Sequence, residues 1–275
     1  MTIHIEGDGD PTILFVHGFC CAKEDWSLLV SALSKRFKCV SVDLPGHGAS
    51  STHGGEGGTP TIAAAAAAVN DAKARHGSGR VILVGHSLGA KIIREAYRQS
   101  STGIIGMVLV DGSLYVSDRQ TMLDNANKAI ANGTQALIHH LFAQMFTESV
   151  DPSIPERIRT RALAMDPGFA SDLFLDSVEW DTQFAVRTIQ DIRVPVLVLQ
   201  ATTFDSQFRW QPLEAGGTTP LIETVRSHVS DSTAVVLEGA GHFLMIEAPE
   251  AAAKALGDFV ERVAAPPQGV GSARG

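Results

Sequence analysis

The segment Gly85-His86-Ser87-Leu88-Gly89 decides the fold of this chain. The apolar run Val81 to Val84 precedes it and an amphipathic stretch opens at Ala90, so the pattern predicts a strand, a sharp turn and a helix. Glycines two positions before and after the serine carry no Cβ atoms that would collide with the strand and the helix. This context indicates that the Ser87 hydroxyl projects from the sheet as a nucleophile and that the Leu88 N–H faces any oxyanion formed above it.

The length and composition fit one large α/β domain with an insertion, or two small domains. The chain has 275 residues, of which 44% are hydrophobic and 19% charged, and a net charge of −8 without a Lys/Arg cluster argues against nucleic acid as a partner. No apolar run approaches the ~20 residues of a membrane span, and the polar start, Met1 to Pro11, is unlike an export signal, so we expect a cytoplasmic protein. Cys20, Cys21 and Cys39 are too few for a disulfide framework and are expected to be reduced thiols.

Strands and helices alternate on both sides of the serine turn. Short apolar runs predict buried strands, and the segments between them carry apolar residues at helical spacing. In one long segment this alternation stops and only helical spacing remains. We therefore divide the chain into an α/β core at 1–112 and 194–264, a helical cap inserted at 113–193, and a Pro/Gly-rich tail at 265–275 that we expect to be disordered.

A histidine is suited to take the proton of a serine hydroxyl near pH 7, because its ordinary pKa is about 6.5. Of the ten histidines, His242 fits best, since it follows a predicted strand at 234–237 and lies in a Gly-rich loop at the edge of the sheet where ligands bind. His86 is next to the serine, so its side chain is expected to point into the core. His17 and His47 lie in Gly-flanked loops, where we expect them to brace the backbone by hydrogen bonding. We therefore predict that His242 is the base.

The histidine needs a carboxylate that fixes its tautomer and stabilises the imidazolium. Asp205 and Asp111 both lie just beyond the carboxyl ends of predicted strands. We favour Asp205, because its strand is adjacent in chain order to the one that carries His242. The alternative role for Asp111 is a loop cap that accepts hydrogen bonds from nearby N–H groups.

Five motifs follow one another in a fixed order along the chain. They are His17-Gly18-Phe19, Asp43 to Ser50, Gly85 to Gly89, Val194 to Leu199, and Gly239 to Phe243. In this order they resemble the motifs of the α/β-hydrolase superfamily, and the resemblance extends from residue 13 to residue 263 with only the insertion uncovered. It implies an eight-stranded, mostly parallel sheet flanked by helices, with a helical cap.

The same resemblance implies roles for particular residues. It implies Ser87 as the nucleophile, His242 as the base, and an oxyanion hole formed by the N–H groups of Phe19 and Leu88.

The resemblance leaves the position of the acid open. Family members commonly carry Gly-x-x-Asp after the seventh strand, whereas the segment Gln200 to Asp205 lacks that glycine and is one residue longer. In some members the acid follows the sixth strand, which corresponds to Asp111. Asp205 therefore remains the favoured acid and Asp111 the alternative.

The type of nucleophile limits the reactions that this chain could catalyse. A serine at position 87 argues against haloalkane dehalogenase or epoxide hydrolase activity, which in this fold resemble each other in using an aspartate there. We predict hydrolysis of carboxylic esters of a small, largely apolar substrate through an acyl-enzyme, with lactonase and thioesterase action as close variants. The alternative enzyme is a C–C bond hydrolase acting on ring-cleavage products, which would need a basic cap residue such as Arg157, Arg159, Arg161 or Arg187 to hold a carboxylate. A third hypothesis is a ligand receptor with little turnover, and the intact Ser/Asp/His set argues against it.

The insertion is expected to form a lid. It leaves the sheet at the carboxyl end of the strand after the nucleophile's own, so its helices should fold back over the serine. We predict that Leu141, Phe142 and Trp180 of the cap, together with Phe243, line an apolar substrate pocket. No cofactor or metal is predicted, because the cluster Gly54 to Gly58 follows no strand and the adjacent histidines of the cap lack the helical spacing of a metal pair.

Overall fold

A computed structural model of the protein describes residues 1–52, 59–114, 117–205 and 209–265. The predicted tail beyond residue 265 and the glycine cluster at 54–58 lie outside these ranges. Within them, seven strands form the main sheet and two more form a separate hairpin. The fold is α/β, as predicted, but the main sheet has seven strands in the described part of the chain instead of eight.

The main sheet is parallel except for its first strand. The nine strands are, in chain order, β1 (Ile3–Glu6), β2 (Thr12–Val16), β3 (Lys38–Val42), β4 (Val81–His86), β5 (Ile104–Val110), β6 (Val196–Gln200), β7 (Thr202–Phe204), β8 (Trp210–Pro212) and β9 (Ser232–Val236). The main sheet has the order β1-β3-β2-β4-β5-β6-β9, in which β1 is antiparallel to β3 and all other neighbours are parallel.

Helices connect the parallel strands and cover both faces of the sheet. The α-helices in the described ranges are α1 (Ser27–Leu33), α2 (Ile62–His76), α3 (Leu88–Gln99), α4 (Arg119–Ile130), α5 (Thr134–Phe142), α6 (Ser153–Leu163), α7 (Pro167–Gln190), α8 (Pro220–His228), α9 (Leu244–Glu247) and α10 (Pro249–Ala264). None of these helices combines the length and the apolar character that a membrane crossing requires.

The central strands are buried because helices pack on both sides of them. Every residue of β2 and β4 is buried, which explains why these strands read as continuous apolar runs instead of alternating ones. On one face α1 packs against α10, and on the other α2 packs against α3. Each face has its own apolar core.

The parallel arrangement brings separate parts of the chain to one edge of the sheet. Ser87 follows β4, Asp111 follows β5, and His242 lies in the loop after β9. Phe19 lies in the loop after β2, the neighbour of β4. Because the carboxyl ends of parallel strands meet at the same edge, these four residues converge although they are far apart in the chain.

Helices α4 to α7 form the insertion between β5 and β6, which we call the cap. α7 spans 24 residues and packs against α3 of the core and α4 of the cap. It begins where Asp166 accepts a hydrogen bond from Phe169 N at 2.7 Å, with Pro167 in the first turn. Asp176 Oδ2 accepts a hydrogen bond from Ile62 N at 2.7 Å, which ties the cap to the start of α2.

A short hairpin lies between β6 and α8. β7 and β8 pair antiparallel, with Phe204 opposite Trp210. Three-residue strands are too short to give a clear alternation of apolar and polar residues, so the sequence pattern did not reveal them. The hairpin follows β6 directly and therefore lies at the same edge of the main sheet as Ser87.

Candidate active site

The turn at Ser87 has the strained geometry that its two flanking glycines permit. Ser87 has φ 53° and ψ −117°, a conformation that residues with a side chain rarely adopt. A Cβ atom on Gly85 would lie 2.4 Å from the carbonyl oxygen of Gly89, and one on Gly89 would lie 2.4 Å from the carbonyl oxygen of Val16. Only glycine fits at these two positions, so the predicted reason for the motif is confirmed.

Two backbone segments meet beside the serine. α3 begins at Leu88, so the positive end of its dipole lies next to the Ser87 hydroxyl. The loop after β2 approaches so closely that a Cβ atom on Gly18 would lie 3.0 Å from Ser87 Cβ. Phe19 and Leu88 line the same cavity as Ser87.

His17 braces the loop that carries Phe19. Its Nδ1–H donates to Gly18 O at 2.8 Å, and Leu44 N donates to its Nε2 at 3.0 Å. The ring is fully buried, and burial holds its pKa well below the ordinary value. The imidazole is therefore neutral and serves as a bridge between two loops, as the sequence predicted.

His242 is held by a buried carboxylate. Its Nδ1 lies 2.7 Å from Asp111 Oδ2, and the two side chains are 1% and 0% exposed. Asp111 also accepts hydrogen bonds from Ala201 N at 2.7 Å and Thr202 N at 2.9 Å. Since Nδ1–H donates to the carboxylate, the Nε2 atom of His242 carries the lone pair that a base needs.

The favoured pairing of Asp205 with His242 is therefore wrong, and the alternative, Asp111, contacts the histidine. Asp205 lies at the end of the β7 strand, where Arg209 N and Arg209 Nε donate to its carboxylate at 3.1 and 2.9 Å. Its side chain is 30% exposed. The physical reason is the position of β5 beside β6, because the residues that follow β6 donate their N–H groups to Asp111.

Burial sets the protonation of this pair. It lowers the pKa of His242 to about 3, so the imidazole is neutral at pH 7. It raises the pKa of Asp111 to about 6, against the opposing effect of the N–H groups of Ala201 and Thr202. At neutral pH the pair therefore consists of a carboxylate and a neutral imidazole, which is the state required for general-base catalysis.

Backbone contacts fix the position of the histidine. His242 N donates to Met145 O at 2.8 Å, which joins the loop after β9 to the cap. His86 Nε2 donates to His242 O at 3.0 Å, and the two rings lie 4.5 Å apart. His86 thus points into the core, as predicted, and its hydrogen bond holds the backbone of His242 in place.

The indole of Trp210 stacks on the imidazole ring of His242. The ring centroids of Trp210 and His242 lie 3.6 Å apart at an interplanar angle of 28°, and Phe204 packs against the indole at 4.4 Å. Trp210 Nε1 is buried, and no described residue accepts its hydrogen bond. The stacking itself depends on the hairpin, which the pattern did not reveal.

Ser87 and His242 face one cavity. It encloses about 580 Å³ of space not filled by atoms, its opening included. No hydrogen bond among the described residues joins Ser87 Oγ to His242, and catalytic contacts of this kind often tighten only when substrate binds. The other residues that line the cavity come from the loop after β2, from α3, from the insertion between β5 and β6, and from the hairpin. They are Phe19, Cys21, Leu88, Lys91, Ser113, Leu141, Met145, Phe174, Ser177, Phe204 and Trp210.

Of the four side chains predicted to line the pocket, Leu141 borders this cavity. The structure places the other three in packed cores instead, which corrects their assignment. Phe142 contacts Phe243 at a centroid distance of 6.3 Å, and Phe243 is fully buried. Trp180 Nε1 donates to Glu95 Oε2 at 3.1 Å, between the cap and α3. Sequence reasoning missed Phe174 and Ser177 of α7, which the helical pattern did not separate from ordinary core residues.

No group of three or more His, Cys, Asp or Glu side chains within the described ranges is arranged to hold a metal ion. The three cysteines are free and buried, and burial raises the pKa of the Cys21 thiol. Cys21 borders the Ser87 cavity as a neutral thiol, which is a weak nucleophile.

Comparison with known proteins identifies the family. The model of the Alpha/beta hydrolase family matches residues 13–255. Monoacylglycerol lipase ABHD6 of Mus musculus is 25% identical over 274 residues, which cover 92% of this chain and 76% of that protein. A shorter match to Protein PHYLLO, chloroplastic, of Arabidopsis thaliana is 36% identical over 110 residues, and it covers 38% of this chain but only 6% of that protein.

Solved structures share the same architecture. A thermophilic esterase from Thermogutta terrifontis superimposes with a TM-score of 0.76 at 22% identity, over 95% of this chain and 93% of the other. At this identity the likeness concerns the fold.

Proposed function

Because the chain belongs to the α/β-hydrolase family, we propose that it cleaves carboxylic esters through a covalent acyl-Ser87 intermediate. The observation that carries the proposal is the convergence of three groups: a serine on a strained turn, a neutral His242 facing the same cavity, and a buried Asp111 bonded to that histidine. Family membership alone does not fix the reaction, so the proposal rests on the site.

In the proposed acylation step, the proton of Ser87 Oγ passes to His242 Nε2 as the oxygen attacks the ester carbonyl carbon. The negative charge moves to the carbonyl oxygen, where the N–H groups of Phe19 and Leu88 stabilise it. Asp111 remains a carboxylate and stabilises the imidazolium. His242 then gives its proton to the leaving alkoxide as the C–O bond breaks.

Deacylation repeats the same proton transfers with water. His242 takes a proton from the attacking water, the bond between Ser87 Oγ and the acyl carbon breaks, and the serine recovers its proton. The indole of Trp210 covers one face of the His242 ring, so the ring keeps its orientation through both steps. The cycle consumes one water and releases an acid and an alcohol.

Two observations favour ester hydrolysis over cleavage of a C–C bond. The name of the mouse relative, a monoacylglycerol lipase, describes an enzyme that acts on an ester. Two of the cap arginines that would hold the carboxylate of a ring-cleavage product are engaged elsewhere. Arg161 is paired with Asp25 at 2.6 Å, and Arg159 is paired with Glu156.

Substitution of the serine tests the proposal. With p-nitrophenyl butyrate, we expect Ser87→Ala to lower kcat by a factor on the order of 10⁶ while circular dichroism stays unchanged. Ser227→Ala, at an exposed position on α8, is the matched control and should keep the parent rate. Retention of more than a few per cent of the rate by Ser87→Ala would refute the assignment.

A further inference from the structure

A second compartment adjoins the cavity at Ser87. An adjoining space of about 470 Å³, its opening included, shares five lining residues with the first. The shared residues are Lys91, Ser113, Phe174, Ser177 and Phe204. Beyond them, the second compartment is lined by Met122, Asn125, Val178, Asp181 and Asp205. The lining of this space is largely apolar but includes the polar side chains of Lys91, Asn125 and Asp181, and a substrate held at the serine would reach it past Lys91.

A buried ion pair borders the second compartment, and one of its members, Lys91, borders both compartments. Lys91 lies one turn after Ser87 on α3, and its Nζ donates to Asp181 Oδ2 on α7. The two side chains are only 10% and 8% exposed. The pair joins α3 of the core to α7 of the cap.

The pair leaves hydrogen-bonding capacity unused on both sides. Asp181 Oδ1 is buried, and no described residue donates to it. Lys91 has three N–H donors, and its contacts to described residues use one of them. A buried acceptor without a donor is unfavourable, so a ligand group that supplies the missing partners would be favoured.

Hydrogen-bonding capacity, and not net charge, distinguishes the ligand groups that fit at this point. The charges of Lys91 and Asp181 cancel, and Asp205 is paired with Arg209 at 2.8 Å. Arg94 is buried nearby and donates to the carbonyl oxygens of Ala90 and Ala185, and its charge also acts on Asp181. A carboxylate placed beside Asp181 cannot donate a hydrogen bond, so Asp181 Oδ1 would stay without a partner.

We propose that the second compartment binds an uncharged group of the substrate, a hydroxyl or a carboxamide, that donates to Asp181 Oδ1 and accepts from Lys91 Nζ. Both groups can donate and accept at once, whereas a methyl group does neither and a carboxylate only accepts. The inference rests on the proposed ester hydrolysis and names its substrate class: esters that carry such a group some distance from the scissile bond.

Two matched series of esters test the inference. In the first, ethyl esters of six-carbon acids end in a methyl, hydroxyl, carboxamide or carboxylate group. In the second, the same four groups end the alcohol of butyrate esters. In at least one series we expect kcat/KM for the hydroxyl and carboxamide esters to exceed that of the methyl ester about tenfold or more, with the carboxylate ester lowest. Equal values in both series, or the highest value for the carboxylate, would overturn the inference.

Replacement of both partners shows whether the pair causes the preference. Lys91→Met together with Asp181→Leu leaves no unpaired buried charge, which such double replacements tolerate better than single ones. The ratio of hydroxyl to methyl ester kcat/KM should fall to about one or below. The control, Lys254→Met with Asp258→Leu, removes an exposed pair on α10 and should keep the parent ratio. If the first double variant does not fold, Asp181→Asn replaces it, with the same expected fall. A parent-like ratio in a folded variant would overturn the assignment.

A binding measurement separates this inference from the proposed function. If no ester is hydrolysed, the proposed function fails, and the compartment is then tested with hexanamide and hexanoate followed by NMR. Saturable binding of hexanamide that the Lys91/Asp181 double variant loses supports the site. Absence of binding, or stronger binding of hexanoate, overturns it.

Discussion

Asp111 combines a strained backbone with four hydrogen bonds to its carboxylate. Its φ is +41°, which costs of order 1–3 kcal/mol for a residue with a side chain. The donors are Ala201 N, Thr202 N, Thr202 Oγ1 and His242 Nδ1. The strained backbone therefore persists because it places the Asp111 carboxylate within reach of these four donors, one of which belongs to His242.

This geometry predicts different outcomes for the two candidate acids. Asp111→Asn should lower kcat on p-nitrophenyl butyrate by about 10⁴, because an amide nitrogen at this position would favour the wrong tautomer of His242. Asp205→Asn removes a carboxylate paired with Arg209 at the surface and should lower kcat less than tenfold. The two variants control for each other, since each exchanges one carboxylate for an amide. A larger loss for Asp205→Asn would contradict the assignment.

Local signals point to two of the three residues of the proposed triad. Ser87 was evident because strand, glycines and helix surround it within ten residues, and His242 because a strand and glycines precede it. The acid depends on which strands are neighbours in space. Chain order favoured Asp205, whereas the structure sets β5 beside β6 and so brings Asp111 to the donors. No local pattern encodes that neighbourhood.

At the scale of elements, α7 presents different faces to different surroundings. Phe174, Ser177 and Asp181 face the cavities beside Ser87. Trp180 instead faces α3, where it packs over the Arg94 guanidinium at 5.2 Å and donates to Glu95. The helical spacing of apolar residues predicted this helix, but spacing alone does not tell which face lines a cavity and which face packs on the core.

Two substitutions in the cap distinguish a side chain that lines the cavity from one that packs against the core. Leu141→Ala enlarges the cavity and should shift the preferred chain length of p-nitrophenyl esters towards longer acyl groups, by about 1 kcal/mol or more per methylene in relative kcat/KM. Trp180→Ala should keep the parent chain-length profile and lower the free energy of unfolding by about 3–5 kcal/mol, measured in urea. A changed profile for Trp180→Ala together with a parent profile for Leu141→Ala would reverse the assignment.

At the scale of the whole molecule, four fully buried histidines tie stability to pH. Burial lowers the pKa of His47 to about 4, of His86 to about 3 and of His242 to about 3, and it holds the pKa of His17 well below its ordinary value. Below pH 6.5 these groups bind protons in the unfolded chain but not in the folded one. Buried aspartates with raised pKa values oppose this in part: Asp25, Asp111 and Asp181.

Stability should therefore fall as the pH is lowered from 7 to 5. A net uptake of at least one proton on unfolding would lower the free energy of unfolding by about 1.4 kcal/mol or more per pH unit. His47→Asn does not titrate, but it keeps a donor for the Pro45 carbonyl that His47 Nδ1 contacts. This variant should therefore take up about one proton fewer on unfolding, which makes the dependence of stability on pH less steep. Urea unfolding at several pH values measures both. A flat profile for the parent protein would contradict the account.

The overall architecture could be predicted from the sequence because it depends on strong periodic signals. Buried parallel strands read as continuous apolar runs and the cap as helical spacing, and both are properties of each segment alone. The eighth strand was expected from the resemblance and not from a run of residues, and the structure shows seven within its described ranges. The β7–β8 hairpin was missed because its strands are three residues long.

The central claim is that Ser87 forms the covalent intermediate. Reaction of the purified protein with a fluorophosphonate, followed by peptide mass spectrometry, tests it most directly. We predict one adduct per chain, located on Ser87, absent from Ser87→Ala and formed much more slowly in His242→Ala. An adduct on another residue, or equal labelling of the Ser87→Ala variant, would contradict the claim.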